Sequence, residues 1–283
     1  MPECILKHAV KLINDKESAN RYNRFFVHTD GWEYLCAMKR FLHIYPLTIA
    51  DIDAENRLSA GAVLCYFQDA IARFLSIAKV SALDLMEEGR TWMILEFHSS
   101  FAEDMPTWPG IVQTEVYLSE ISQLKAYVDF LFRDSQGQII ARDTSKWVMM
   151  DVNERKPVPC GEVKRFIEQY DEKNHKAHER FQFLPFDASA ERGHSTQHVI
   201  TRLETDFNGH MSNRDFVRLA LASIPPALIQ ERTIREMHVR FIKECHEGET
   251  IDCSSKEGDK GTIALFLSNT QGELVCQCQT VWR

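Results

Sequence analysis

Phe132-Arg133-Asp134-Ser135-Gln136-Gly137, reaching Trp147 ten residues later, and Ser268-Asn269-Thr270-Gln271-Gly272, reaching Trp282 ten residues later, set the architecture of this chain. Glycine and tryptophan are each displaced by 135 residues (272 − 137 and 282 − 147), the mark of an internal repeat. Asp, Asn, Ser and Gly are turn formers, so each stretch reads as a hairpin turn and the strand that leaves it. A glycine turn before a strand ending in Trp is common by itself. What makes it a repeat is the order of elements around it.

Upstream of the first copy, Phe41 to Asp51 reads as extended chain, and Ser59 to Val80 carries Val63, Phe67, Ala70, Ile71 and Phe74 at helical spacing with Ser59 as N-cap. Strands follow near 91–102, 110–120, 122–133 and 138–150, separated by Pro106, Pro109-Gly110 and the Asp134 turn. The second half repeats this order: a strand near 197–206, a helix from Ser212, and strands near 235–244, 248–256, 260–268 and 273–282. Between the copies, Asn153 to Glu179 contains Pro157, Pro159 and many charges, and reads as a partly helical linker. The expected organisation is an N-terminal extension over 1–40, a first domain over 41–152, a linker over 153–180 and a second domain over 181–283. A long central helix wrapped by a curved antiparallel sheet is α+β, the hotdog shape. Two tandem hotdog domains would form within one chain the pair that hotdog dimers build from two, with sites at the junction.

Composition bounds the function. The 283 residues favour two domains, and 44% hydrophobic with 26% charged residues is ordinary for a globular protein. A net charge of −8 argues against nucleic acid as the main partner. Eight cysteines stand without a CxxC pair or zinc-finger spacing, which suggests reduced thiols in a cytosol-like compartment and calls for neither metal nor organic cofactor. No apolar run approaches the roughly 18 residues of a membrane span. The opening segment, broken by Lys7, His8 and Lys11, reads as neither signal peptide nor anchor.

The densest reactive cluster is Thr205-Asp206-Phe207-Asn208-Gly209-His210-Met211-Ser212-Asn213, where a strand should hand over to the second long helix. Gly209 permits a sharp turn, and free amides at a helix start can stabilise an oxyanion. Acid, amide and imidazole beside such amides suit acyl hydrolysis. On spacing alone, Asp206, Asn208 and Asn213 serve equally well as turn and capping residues. The second element is Phe241-Ile242-Lys243-Glu244-Cys245, at the end of a predicted strand 38 positions after Asp206 (244 − 206). The first repeat offers Asp53-Ala54-Glu55-Asn56-Arg57-Leu58-Ser59 at the corresponding turn, without a histidine, so one site per chain is expected. His43, His98, His194, His198 and His238 lack ligand partners at recognisable spacing and read as structural or exposed. Cys276 and Cys278 share a strand face and read as core.

From about Phe41 to Arg283 the chain resembles the plant and bacterial acyl-acyl-carrier-protein thioesterases. In that family the second domain carries Asp-x-Asn-x-His, usually continued by Val-Asn-Asn, and later Arg-Arg-Glu-Cys. Asp206, Asn208, His210, Glu244 and Cys245 match in order, as do Met105-Pro106-Thr107-Trp108 and the segment from Ser145 to Met150. Met211-Ser212-Asn213 replaces Val-Asn-Asn, and Ile242-Lys243 replaces the arginine pair, which leaves open the helix cap and the charge beside Glu244. The resemblance implies release of free fatty acid from an acyl-phosphopantetheine thioester on acyl carrier protein, in the cytoplasm or plastid stroma.

Two mechanisms remain open at this stage. In one, Glu244 with His210 deprotonates water, while Asn208 orients water or carbonyl and Asp206 holds the loop. In the other, Cys245 is a nucleophile activated by His210. Side chains alternate on a strand, so only one of Glu244 and Cys245 should reach His210. The first domain is expected to supply an acyl tunnel through Leu64, Phe67 and Ile71. Arg214, Arg218, Arg232, Arg235, Arg240 and Lys243 are candidates for docking the acidic carrier. Rival readings are an acyl-coenzyme A thioesterase, a hydratase and a non-catalytic acyl-binding protein. Hydratases of this shape place His five residues after Asp, against four here, and a sensor would need an effector module. Monomer and homodimer both fit a chain that contains its own hotdog pair.

Overall fold

The computed structural model describes residues 40–166, 181–187, 194–229 and 232–283. Apart from Arg40, the expected N-terminal extension lies outside the described residues, as does most of the expected linker. Among the described residues the first half runs β1 (Arg40–Pro46), α1 (Ala60–Ile77), α2 (Ala82–Met86), β2 (Arg90–Phe101), β3 (Ile111–Ile121), β4 (Ala126–Arg133), β5 (Ile139–Asp151) and β6 (Lys156–Val158). The second runs β7 (His194–Val199), α3 (Asn213–Ala222), α4 (Pro226–Ile229), β8 (Ile234–Phe241), β9 (Thr250–Glu257), β10 (Thr262–Asn269) and β11 (Leu274–Trp282).

All strands join one antiparallel sheet in the order β1-β3-β4-β5-β2-β8-β11-β10-β9-β7, with β6 beside β5. Each half's order is the other's read backwards from the β2–β8 seam, which confirms the tandem hotdog arrangement. The repeat extends to single atoms. Asp134 Oδ1 accepts the N–H groups of Gln136 and Gln138 at 2.8 and 2.9 Å, and Asn269 Oδ1 accepts those of Gln271 and Glu273 at 3.1 and 2.9 Å. Gly137 and Gly272 close the two turns at φ +82° and +78°, where a side chain would be strained. Each tryptophan donates its indole N–H to the hydroxyl two residues earlier, Ser145 for Trp147 and Thr280 for Trp282.

Ser59 caps α1 by accepting the N–H of Ala62, and the helix buries Val63, Phe67, Ala70, Ile71 and Phe74 against the sheet. Phe67 packs on Phe97 of β2 and Phe130 of β4. Truncating Phe67 to Ala should cost about 3–5 kcal/mol. Helix α3 is shorter, capped by Ser212 on Asp215 N–H and halted before Pro225-Pro226, where the chain can no longer supply helical N–H groups. Several boundaries differ from the sequence reading, among them β1, which ends at Pro46 ahead of a 3-10 turn over Ile49–Asp51. β8 ends at Phe241, so 242–244 leave the sheet as a bend. β7 ends at Val199, before a short 3-10 turn over Arg202–Glu204. Lys156–Val158 pairs with Met149–Asp151, and Val163 is buried among first-half residues, so the stretch expected to open the linker packs as part of the first half.

At the seam Glu96 pairs with Arg240, His98 with His238 and Ser100 with Glu236. Both histidines are buried, their Nδ1 atoms 3.1 Å apart, while Nε2 of each lies 3.2 and 3.3 Å from Glu96 and Glu236 respectively. Phe181 stacks on the His238 ring at 3.6 Å. A bond between two Nδ1 atoms needs a proton on one of them. The hydrogen bond to His98, opposed by burial and helped by Lys146, lowers the Glu96 carboxyl from 4.5 to about 2. A carboxyl depressed in the fold adds stability above its unfolded value, and that stability is lost as pH falls toward the folded value. Urea midpoints measured from pH 5 to pH 2 should thus fall more steeply for wild type than for Glu96→Gln.

Candidate active site

The turn between β7 and α3 is built around one carboxylate. Asp206 Oδ1 accepts the backbone N–H of Asn208 at 2.8 Å and that of His210 at 3.4 Å. The Asp206 N–H donates to His210 O at 2.8 Å, and Gly209 turns the chain at φ +76°. Asn208 is exposed and His210 half-buried. A second tie brings in the segment after β8: Met211 N–H donates to Cys245 O at 2.7 Å, and His210 forms an isolated bridge with His246. That tie sets His210 Nε2 3.7 Å from Glu244 Oε2, each side chain 27% exposed. The separation is longer than a direct hydrogen bond, and catalytic contacts commonly tighten only in the substrate complex. The His246 ring stands edge-on to His210 with centroids 4.9 Å apart. Ser212 caps α3, whose first turn has N–H groups without intrahelical acceptors beside this pair.

Cys245, the neighbour of Glu244, points the other way. It is 1% exposed, and burial, with Glu249 nearby, pushes its thiol up to about 12. Because 242–244 have left the sheet, it is the bend after β8, rather than strand alternation, that separates the two side chains. Glu244 also receives an ion pair from Arg155, an exposed residue in the turn between β5 and β6 of the first domain. Sequence reasoning missed Arg155 and His246. His246 is next to Cys245 in the chain, whereas Arg155 sits in a stretch read as linker.

The first domain carries the counterpart turn with the same backbone chemistry. Asp53 Oδ1 accepts the N–H groups of Glu55 and Arg57 at 3.0 and 2.9 Å, and Asn56 occupies the left-handed position of Gly209 at φ +61°. Arg57 stands in the place of His210 and ion-pairs with Asp53 and Glu55. The imidazole is present on one side of the pseudo-twofold and replaced by a guanidinium on the other.

A narrow apolar pocket, open at its mouth, lies in the first domain between the second half of α1 and the sheet. Ile71, Phe74, Trp92, Val128, Trp147 and Val163 are among its lining residues. Of the expected tunnel residues Ile71 lines it; Leu64 and Phe67 are buried core and are not among the lining. From the Glu96–Arg240 pair, β2 runs back toward Trp92 and β8 runs on past Phe241 into the bend that carries Glu244, so the pocket wall and the acid–imidazole pair lie toward the same end of the seam. The expected basic docking surface is largely occupied by its own neighbours. Arg214 and Arg218 pair with the buried Asp215, Lys243 with Glu273 and Arg235 with Glu236, while Arg240 covers the Phe183 ring.

Comparison with known proteins matches residues 38–165 to the profile of the acyl-ACP thioesterase N-terminal domain and 188–283 to that of the C-terminal domain. An oleoyl-acyl carrier protein thioesterase of Coriandrum sativum is 24% identical over 64% of this chain and 51% of its own length. An acyl-acyl-carrier-protein hydrolase of Cuphea viscosissima is 25% identical over 86% of this chain and 62% of its own. The chain thus spans between about half and three-fifths of these relatives. The 12:0-ACP thioesterase structure from Umbellularia californica superposes with a TM-score of 0.77 at 19% identity, covering 87% of this chain and 97% of that one, which shows a shared fold. With the two domain profiles together matching most of its length, this chain belongs to the acyl-ACP thioesterase family.

Proposed function

We propose that the protein hydrolyses acyl thioesters presented on acyl carrier protein and releases free fatty acid. The observation that carries this is the His210–Glu244 pair at the start of α3, in a chain whose first domain holds an apolar pocket. A water held between imidazole and carboxylate gives a proton to Glu244 while its oxygen adds to the thioester carbonyl. The N–H groups of the first turn of α3 receive the resulting oxyanion. Collapse breaks the C–S bond, and the proton returns through His210 to the departing thiolate. Asp206 keeps the turn in shape through its two backbone bonds, and Asn208, its side chain open to solvent, orients the carbonyl or the water.

The nucleophilic alternative gains little support from a buried thiol held near 12, since the thiolate is the reactive form. The acyl chain is assigned to this pocket, with Trp92 and Trp147 meeting edge-to-face at 6.1 Å in its wall. Among the described residues Cys65, Cys245, Cys253, Cys276 and Cys278 are free thiols, in keeping with a reducing, cytoplasmic or stromal setting. Both halves of the site come from one chain, so a monomer suffices.

The test is thiol release from carrier-protein thioesters of C8 to C18 acyl chains and from the matching coenzyme A thioesters. His210→Ala and Glu244→Ala should each lower kcat by about 10²- to 10⁴-fold, and Cys245→Ala should stay within a few fold of wild type. Equal or faster turnover of the coenzyme A thioesters would reassign the carrier. Acyl binding without release from either would make the protein a binding module. Val128→Trp, which fills the pocket, should move the preferred acyl chain to a shorter length in the same assay. An unchanged preference would remove the pocket from the reading.

A further inference from the structure

We propose that Arg155, contributed by the first domain, is a positioning residue for Glu244 in the second; the inference rests on Glu244 acting as the base. The guanidinium of Arg155 pairs with Glu244 Oε2, the same oxygen that faces His210 Nε2 at 3.7 Å. Immediately before this glutamate the chain has Ile242-Lys243. Lys243 turns away to Glu273 at 2.8 Å and Ile242 is exposed. The cation on Glu244 therefore arrives from the other domain.

The turn that delivers it is well anchored. Asp151 Oδ1 accepts the N–H groups of Asn153 and Glu154 at 2.9 and 2.8 Å, and Arg155 N–H donates to Asp151 O at 2.9 Å. Arg155 itself sits at φ +54°, a left-handed position more usual for Gly or Asn, and here it carries a long cationic side chain. Strand β6 then pairs back on β5, with Pro157 opposite Met150. Upstream the same strand holds Trp147 in the pocket wall, and Val152 N–H donates to Gly89 O at 2.9 Å, at the start of the strand that carries Trp92. One continuous piece of β-structure thus runs from the acyl pocket to the carboxylate.

Glu244 follows a bend in which the N–H groups of Ile242 and Lys243 both donate to Val275 O, at 2.9 and 3.1 Å, and it belongs to no strand pair itself. An ion pair from a fixed turn restricts its rotamers and holds it as the carboxylate that accepts a proton from water. Both arms of Arg155 action, orientation and charge, concern the chemical step and leave acyl-chain binding alone.

The experiment measures kcat, KM and pH profiles for Arg155→Ala, Arg155→Lys, Glu244→Gln and the Arg155→Ala/Glu244→Gln pair on one acyl-carrier-protein thioester, with melting temperatures alongside. Arg155→Ala should lower kcat about 10-fold with KM within two-fold. Arg155→Lys should recover most of the rate, melting should be unchanged, and the double variant should be no slower than Glu244→Gln alone. An inactive Glu244→Gln beside an Arg155→Ala enzyme with wild-type kcat overturns the role of Arg155 and leaves the base in place. Full activity in Glu244→Gln overturns the base and the proposal together.

Discussion

Pairing of β2 with β8 is the contact on which the rest of the molecule depends. A hotdog domain wraps its helix but leaves a strand edge whose N–H and C=O groups need partners, and here the two inner edges satisfy each other. Five consecutive residue pairs, from Glu96–Arg240 to Ser100–Glu236, lock the halves in one register. A slip of one residue would turn His98 and His238 away from each other and drive their polar rings into the side occupied by Phe97 and Met237. The ring pair and its two carboxylates thus mark the correct register with hydrogen bonds that no neighbouring register could form.

With the seam set, two turns that are far apart in sequence become neighbours. The bend after β8 carries Glu244, and the turn after β5 carries Arg155. The pocket lies between the second half of α1 and the sheet, in the domain that lacks the histidine. Division of labour between the repeats follows from this geometry, with one half contributing apolar volume and a cation and the other the acid and imidazole. Asp53 and Asp206 show that duplication preserved the backbone of the turn on both sides. What diverged is the side chain at its end, Arg57 on one side and His210 on the other, so the asymmetry is chemical and the scaffold symmetric.

Much of the fold was legible because it is written in short-range terms. The Asp134 and Asn269 turns, the Ser59 and Ser212 caps and the apolar face of α1 each depend on residues within a few positions of one another. The strands and helices therefore fell close to their expected bounds. Errors of a few residues came where tertiary contact overrides local pattern. Ile242, Lys243 and Glu244 continue an extended-looking run, yet the chain bends there because Cys245 O is taken by Met211 N–H instead of a strand partner. Lys156–Val158 looks like linker because of its prolines, and pairs with β5 all the same.

At the site, Asp206, Asn208 and His210 could be read together because they share one turn, and Glu244 was reached through family resemblance. Leu64, Phe67 and Ile71 show what a helix sequence cannot tell. All three are apolar and inward-facing, and whether each fills a core or lines a void depends on the opposing strands. Phe97 and Phe130 close on Phe67, while Trp92, Trp147 and Val128 stand off from Ile71. The sequence by itself determined the tandem hotdog plan and the single imidazole turn, since periodicity and turn chemistry are local. Only the tertiary structure decided that Glu244 faces His210 while Cys245 is buried, that Arg155 crosses from the other half, and where the pocket opens. The first follows from the Met211–Cys245 tie inside the second half, the second from the β2–β8 register and the third from how the first-half strands stand off α1, none of which a local pattern encodes.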